Sequence, residues 1–481
     1  MTGLLDWLEH PRPDRGIDFA TDTGWERWTH PELAGHAHAV ARGLVAAGTR
    51  RGDRVLLVLR SGPGFVAALF GAVLAGVTPC PVAPPAAFGD GERYRRHWAG
   101  VVAAVEPSGV VTEADLVGSL PDRAWTVEEL AQRTGPDVVI GPAETALVQF
   151  TSGSSDRPRP VAVSRNALEA TLEATRRWLG YTPDDAGASW LPVHHDMGLV
   201  GCLLTPLWCR ADLWLMRPEQ FLRRPERYLE LFGRRGAAIT AMPAFGLDHV
   251  VRRARRDPDW DFTAWRAVVV GAERVRAETL TAFADFLSPQ GFHPHALLPA
   301  YGLAEATLVV TGVRPGTGWR VAEGLVGCGP PVDGARVVVL GEDGVPVPAG
   351  VVGEIGVAGP GVTSGEHLTG DVGFLRDGQL HVVGRRGDSV KVRGRAVFAE
   401  DVEAALAEAG ADPRRVAVAL GLRDGEPGAV AVVEGAAAEP ADLVGVLRRA
   451  AQGADVRVVR GAVPRTTSGK PRRGELWRRF G

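Results

Sequence analysis

A chain of 481 residues is longer than one hydrophobic core supports, so two or more domains are expected. Its 45% apolar and 23% charged residues are those of an ordinary globular protein. A net charge of −3 removes the electrostatic argument for nucleic acid or an anionic membrane surface as partner. Cys80, Cys202, Cys209 and Cys328 have no metal-site spacing and read as reduced thiols of a cytoplasmic protein. The N-terminal MTGLLDWLEHPRPDRG has acids and prolines where a secretory leader needs an apolar stretch. The most apolar run, Phe65 to Val77, is too short to span a bilayer, so no membrane insertion is expected.

Residues 31–79 alternate a helix-period segment (ELAGHAHAVARGLVAAG), a β-branched strand (DRVLLVL) and a second apolar helix (FVAALFGAVLAG). After a Pro-rich loop at 79–90 the rhythm resumes. It predicts a helix over 92–105, strands over 109–112 and 146–150, a helix over 164–180 and a strand over 187–191. Such alternation argues for an α/β fold of doubly wound parallel layers. From 325 to 383 the pattern changes to short strands broken by Gly and Pro, with turns at Glu342-Asp343-Gly344 and Asp377-Gly378. A second α/β module follows: strand 389–393, helix 399–409, strands 414–421 and 429–433, helix 440–452 and strand 455–459. GELWRRF closes the chain as an amphipathic helix. The expected division is a large N-terminal domain, 1–385, with a β-rich subdomain at about 325–385, then a small α+β C-terminal domain, 386–481. The hinge is expected at Arg386–Ser389, where Gly387 and Asp388 interrupt two apolar strands.

Of 54 basic residues only two, Lys391 and Lys470, are lysine. Arginine replaces lysine least readily where a compact, flexible charge must reach an anion at close quarters. Both lie in glycine-containing motifs, GRRGDSVKVRG (384–394) and PRTTSGKPRR (464–473). A second anion-binding signal is the turn Thr151-Ser152-Gly153-Ser154-Ser155, whose small residues let backbone N–H groups converge on phosphate oxygens. It is not a Walker A loop: the one SGK run has Pro464 and Pro471 at positions that pattern forbids. His194-His195-Asp196 invites a metal reading, but adjacent histidines do not easily face one ion and no third ligand has suitable spacing.

Taken together, FTSGSSDRPRPVAVS (150–164), WLPVHHDMGLVG (190–201), GAERV (271–275), PAYGLAEATLVVTG (299–312), TGDVGFLRDGQLHVVGRRGDSVKVRGR (369–395) and PRTTSGKPRR (464–473) resemble, in order, the motifs of the acyl-adenylate-forming superfamily. HDMGLVG and PAYGLAEATL are most similar to fatty-acyl-AMP ligases. The resemblance covers essentially the whole chain. It implies a ligase that joins a carboxylic acid to ATP, with Mg²⁺, and hands the acyl group to an acyl carrier protein or to coenzyme A.

The same resemblance assigns roles residue by residue. Thr151, Ser152, Gly153, Ser154 and Ser155 would hold the ATP phosphates, and Gly271, Ala272 and Glu273 would line the nucleotide. Tyr301 would stack on adenine beside Gly302, Glu305 would orient Mg²⁺, and Thr307 would touch the α-phosphate. Asp371 and Arg385 would grip the ribose hydroxyls, and Asp388 would be the hinge of a mobile C-terminal domain. Lys470 would bridge carboxylate and α-phosphate, His195 would sit near the substrate carboxylate, and Phe245 and Gly246 would line the acid pocket. Lys391 either assists in a second pose or edges its strand.

Three departures stand out. Asp156 and Pro160 replace glycines of the phosphate loop and Arg159 replaces lysine. About a dozen residues join TLVVTG (307–312) to LVGCG (325–329), where fatty-acyl-AMP ligases carry an insertion, and the stretch from 361 to 369 is short. Carrier protein and coenzyme A therefore both stay open as acceptors, and the acid is fatty, aryl or an unusual small one. A nucleotide-binding homologue without catalysis is the reading of another class.

Overall fold

The computed structural model describes residues 3–85, 91–120, 124–135, 141, 143–151, 158–392, 395–423, 426–435, 442–466 and 469–481. These form two compact units. The first comprises Met1–Thr151, Arg157–Val337 and Val357–His367; the second includes Val338–Gly356 and Leu368–Gly481.

The helix His30–Ala46 of the first unit starts where Thr29 and Glu32 form a reciprocal capping box and Pro31 occupies the first turn. The next helix, Pro63–Leu74, is buried at every position from Phe65 to Leu74. The longest apolar run in the chain is thus a core helix packed on all sides, which is how a stretch too short for a bilayer hides its surface. Burying each large side chain there contributes roughly 1.5–3 kcal/mol. Strand Gly109–Thr112 falls where its sequence pattern predicts. It joins a parallel four-stranded sheet in the order Thr78–Pro81, Arg54–Val58, Gly109–Thr112, Ala124–Thr126.

The main sheet has eight strands. Their order is Val309–Gly312, Leu297–Gly302, Ala267–Val270, Ala237–Met242, Ala186–Ser189, Leu213–Leu215, Gly16–Ala20, Trp25–Thr29. The six inner strands are parallel and each edge strand is antiparallel. This is the α/β architecture that the alternating pattern predicts. Buried parallel strands read as continuous apolar runs, and Ala237–Met242 is buried at all six positions.

The β-rich stretch forms a four-stranded sheet in the order Arg336–Leu340, Gly353–Ala358, Glu366–Arg376, Gln379–Arg385. Its last two strands meet at Asp377-Gly378, where φ values of +51° and +72° make the two-residue turn foreseen from the Asp-Gly pair. The second unit takes in most of this sheet together with residues 386–481. Within it Arg386 pairs with Glu354 at 2.6 Å and Lys391 with Glu342 at 2.5 Å. Among the described residues no helix is long and apolar enough to cross a membrane. All four cysteines are free and buried.

Candidate functional site

Four neighbouring parallel strands of the main sheet run out into segments that the sequence singles out. Ala186–Ser189 leads to His194 and His195, and Ala237–Met242 leads to Phe245 and Gly246. Ala267–Val270 leads to Gly271, Ala272 and Glu273; Leu297–Gly302 contains Tyr301 and Gly302 and leads to Glu305 and Thr307. Parallel strands present their carboxyl ends at one edge, and in open α/β sheets small ligands bind at that edge. Glu273 ties two of these segments together: its carboxylate accepts the Phe245 backbone N–H at 2.7 Å.

The Tyr301 segment is a strained hairpin. Tyr301 pairs with Thr311 and Gly302 with Val309, with a register shift between the two pairs. At Gly302 the facing strand comes so close that a Cβ would lie 2.0 Å from the Leu308 carbonyl oxygen. Beyond it, the short helical turn Ala304–Ala306 ends at Thr307, a β-branched residue with φ +65°. Such a conformation survives only where surroundings impose it. Here the Thr307 hydroxyl donates to the Gly361 carbonyl at 2.7 Å, and the Gln149 side-chain amide donates to the Thr307 carbonyl at 3.1 Å. The Thr307 side chain is fully buried, so its hydroxyl is committed to the fold.

Glu305 is fixed at its backbone and open at its head. Its carbonyl accepts the backbone N–H of Thr363 at 2.9 Å and the Thr363 hydroxyl at 3.1 Å. Among the described residues its half-buried carboxylate has no hydrogen-bond or ion-pair partner. A hard oxygen donor left without a partner among the described residues is of the kind that fits Mg²⁺.

Phe245 meets Trp190 edge-on at 5.6 Å, and Trp190 stacks flat on Phe221 at 4.1 Å. A Cβ on Gly246 would stand 2.8 Å from the Trp190 ring. Buried Gly246 therefore packs its backbone directly against the Trp190 ring, a contact that the sequence reading did not name. His195 opens an ordinary helical turn, its carbonyl accepting the Leu199 N–H four residues on at 2.7 Å, and the chain then widens into an eight-residue π-helix, Met197–Leu204. Wide helices of this kind are rare and concentrate at functional sites. The His194 ring lies 4.6 Å from that of His195. Burial, then the neighbouring His195 and His97, push the His194 imidazole well below its ordinary value, so it stays neutral.

Thr151 ends the strand Thr145–Thr151, half-buried and opposite Arg159; Pro160 faces Phe150 on the same ribbon and is exposed. Ser152, Gly153, Ser154, Ser155 and Asp156 lie outside the described residues.

The second unit carries its own set. Asp371 and Arg385 are directly paired across adjacent strands, with Arg385 Nε–H donating to Asp371 Oδ1 at 3.0 Å. Lys470 is exposed on a closed turn, its backbone N–H on the Thr466 hydroxyl at 3.1 Å. Among the described residues its ammonium has no ion-pair partner. Lys391, by contrast, is taken by Glu342.

Asp388 accepts from Arg473 at 3.1 Å, and the same guanidinium holds Glu400 at 2.9 Å and Glu403 at 2.7 Å. Sequence reasoning missed this cluster; its one visible sign is an arginine opening a helix. One oxygen of Glu400 is buried with no hydrogen-bond partner. Burial raises the carboxyl from 4.5 to about 7 despite Arg473. Folded Glu400 therefore keeps a proton that the unfolded chain releases between pH 4.5 and about 7. Its contribution is full below that window and lost as pH rises through it, a difference on the order of 3 kcal/mol. Glu400→Gln is expected to unfold at higher denaturant than the parent at pH 8 and at the same concentration below pH 5. Parallel midpoints at both pH values would remove Glu400 as the titrating group.

Residues 10–365 match the family described as AMP-binding enzyme. A Caulobacter vibrioides protein provisionally named an acyl-CoA synthetase is 30% identical over 510 residues, covering 93% of this chain and 87% of its own. The medium-chain-fatty-acid–[acyl-carrier-protein] ligase of Moorena producens is 31% identical over 445 residues, 78% of this chain and 74% of its own. Among solved structures, one from a study of fatty acyl-adenylate ligases of E. coli and L. pneumophila superposes with a TM-score of 0.89. It shares 26% identity, over 100% of this chain and 98% of the other.

Proposed function

Because this chain belongs to the family of AMP-binding enzymes, we propose that it adenylates a carboxylic acid at the expense of ATP and passes the acyl group to the thiol of a carrier protein. In the first step a carboxylate oxygen attacks the α-phosphorus of ATP and pyrophosphate leaves. In the second, a thiol sulfur attacks the acyl carbon and AMP leaves. The observation that carries this reading is the gathering of four marked segments at the carboxyl edge of one sheet, among them Glu305, whose carboxylate has no partner among the described residues.

The roles follow from the chemistry of two anions that must meet. Tyr301 offers a ring for adenine, and Gly271, Ala272 and Glu273 line the nucleotide beside it. Thr151 and the serine- and glycine-rich turn after it hold phosphates. Glu305 would hold Mg²⁺, which when bound neutralises charge on the phosphates. Asp371 and Arg385, already joined, present a carboxylate and donors to the ribose hydroxyls. Lys470 supplies the compact cation that bridges carboxylate and α-phosphate, and Asp388 is the hinge about which the lysine turn swings away for the second step. His195 stands by the carboxylate. Thr307 acts through the strained backbone that it holds, its hydroxyl being spent on Gly361.

Pyrophosphate release with ATP and Mg²⁺, measured over fatty, aryl and small acids, tests the first step. Adding coenzyme A or an acyl carrier protein tests the second. Release with one acid class and a carrier-protein thioester is the expected result. A coenzyme A thioester would move the acceptor to the one in the name of the Caulobacter relative. Silence with every acid while ATP still binds would favour a nucleotide-binding protein without catalysis.

Phe245 and Gly246 are the proposed acid-pocket lining. Gly246→Val drives two methyl groups toward the Trp190 ring. Its expected effect is a KM for the acid raised roughly tenfold, the order of one or two lost methylene sites, with the KM for ATP unchanged. Equal rises in the two would place Gly246 away from the acid.

A further inference from the structure

The terminal helix Arg473–Phe480 begins with a cation, although the partial positive charge at a helix N-terminus disfavours one there. That side chain is only 13% exposed, and its whole fork is in use. Nε–H donates to the Val418 carbonyl at 3.1 Å, Nη1 faces Asp388 at 3.1 Å and Glu400 at 2.9 Å, and Nη2 faces Glu403 at 2.7 Å. Glu403 in turn accepts the Val418 N–H at 2.8 Å. Three carboxylates from two other segments thus converge on one guanidinium. A buried cluster of this size is costly to desolvate and is weak evidence for stability by itself.

Its neighbours in sequence indicate what it does. The turn before it is closed on itself. The Thr466 N–H donates to the Lys470 carbonyl at 2.8 Å, Gly469 N–H to the Thr466 carbonyl at 3.0 Å, and Arg472 N–H to the Pro464 carbonyl at 2.8 Å. Lys470 sits near the tip of this turn, three residues from Arg473, with no ion pair of its own among the described residues. Asp388, at the other end of the clasp, directly precedes the strand Ser389–Val392.

We infer that Arg473 is a positioning residue: it clamps the turn carrying Lys470 to the chain at Asp388, so that lysine and hinge move as one piece. This rests on the roles proposed above for Lys470 and Asp388. The clamp needs the guanidinium plane, because an ammonium is a single point that cannot serve four acceptors in a fixed fork.

Arg473→Lys keeps the charge and removes the fork. It is expected to slow pyrophosphate release on the order of 10²-fold, the scale of a small misplacement of a catalytic group, while the KM for ATP stays near the parent value. In a Lys470→Ala background the same replacement is expected to cause no further slowing, because its effect passes through that lysine. Amide exchange of Arg465, Thr466, Gly469, Lys470 and Arg472, and of residues 386–391, is expected to quicken in the two segments together. Unchanged kinetics, a loss that multiplies with that of Lys470→Ala, or loosening of one segment alone would overturn the inference. If Arg473→Lys does not fold, Asp388→Asn cuts one arm of the clasp and is expected to loosen both segments. If the parent protein adenylates no acid, the proposed function fails, and the exchange measurement still decides whether the clamp exists.

Discussion

Lys470→Ala is expected to yield a folded protein that forms acyl adenylate about 10²–10³-fold more slowly, the usual cost of removing one preorganised charge from a developing anion. The fold has little to lose: the side chain is exposed and the turn is held by backbone bonds and the Thr466 hydroxyl. Lys470→Arg is not expected to restore the rate. A planar fork cannot take the place of a compact ammonium between a carboxylate and a phosphate. Lys391→Ala supplies the contrast, since that lysine spends its charge on Glu342 at an exposed site where ion pairs contribute little. Thermal unfolding and pyrophosphate release, run on all three variants, make the check. A Lys470→Ala enzyme with near-parental turnover would remove the central catalytic assignment.

Gly302→Ala is expected to abolish measurable ATP binding and to destabilise the first unit by about 3 kcal/mol, the upper end of ordinary overpacking. The added methyl would stand 2.0 Å from the Leu308 carbonyl oxygen, a backbone atom that cannot swing aside. Relief requires the hairpin to open at the register shift between Tyr301 and Gly302. That displaces the Tyr301 ring and the turn bearing Glu305 in one motion. Calorimetric titration with ATP, alongside a denaturant curve, separates the two effects. Parental nucleotide affinity in the variant would show that the close approach does not shape the site.

The sequence pattern locates elements well where periodicity is strong. Gly109–Thr112 and the terminal helix are legible because each is a short apolar or amphipathic run between clear breaks. The proposed site residues are legible for a different reason: Tyr301, Asp371 and Lys470 stand in motifs shared with a known superfamily, and no periodicity marks them. What stays hidden is side-chain partnership across long separations. Gln149 looks like a stray polar residue in ALVQF, and only the structure shows its amide holding Thr307. Trp190 stands unremarked at the start of WLPVHHDMGLVG, and only the structure shows its ring packed against Gly246. Arg473 reads as one of many arginines until Asp388, Glu400 and Glu403 are seen around it. The serine- and glycine-rich turn proposed to hold phosphate is the reverse case, conspicuous in sequence while Ser152 to Arg157 lie outside the described residues.

Because the four site segments follow parallel strands, each pair of neighbours is joined by a crossover connection and none by a hairpin. No contiguous piece of chain holds the proposed site, and these pairings are among the slowest to form. Nucleotide affinity should therefore return only in the last phase of refolding, after helical signal has recovered, and a nucleotide analogue would serve as a reporter of the fully assembled sheet.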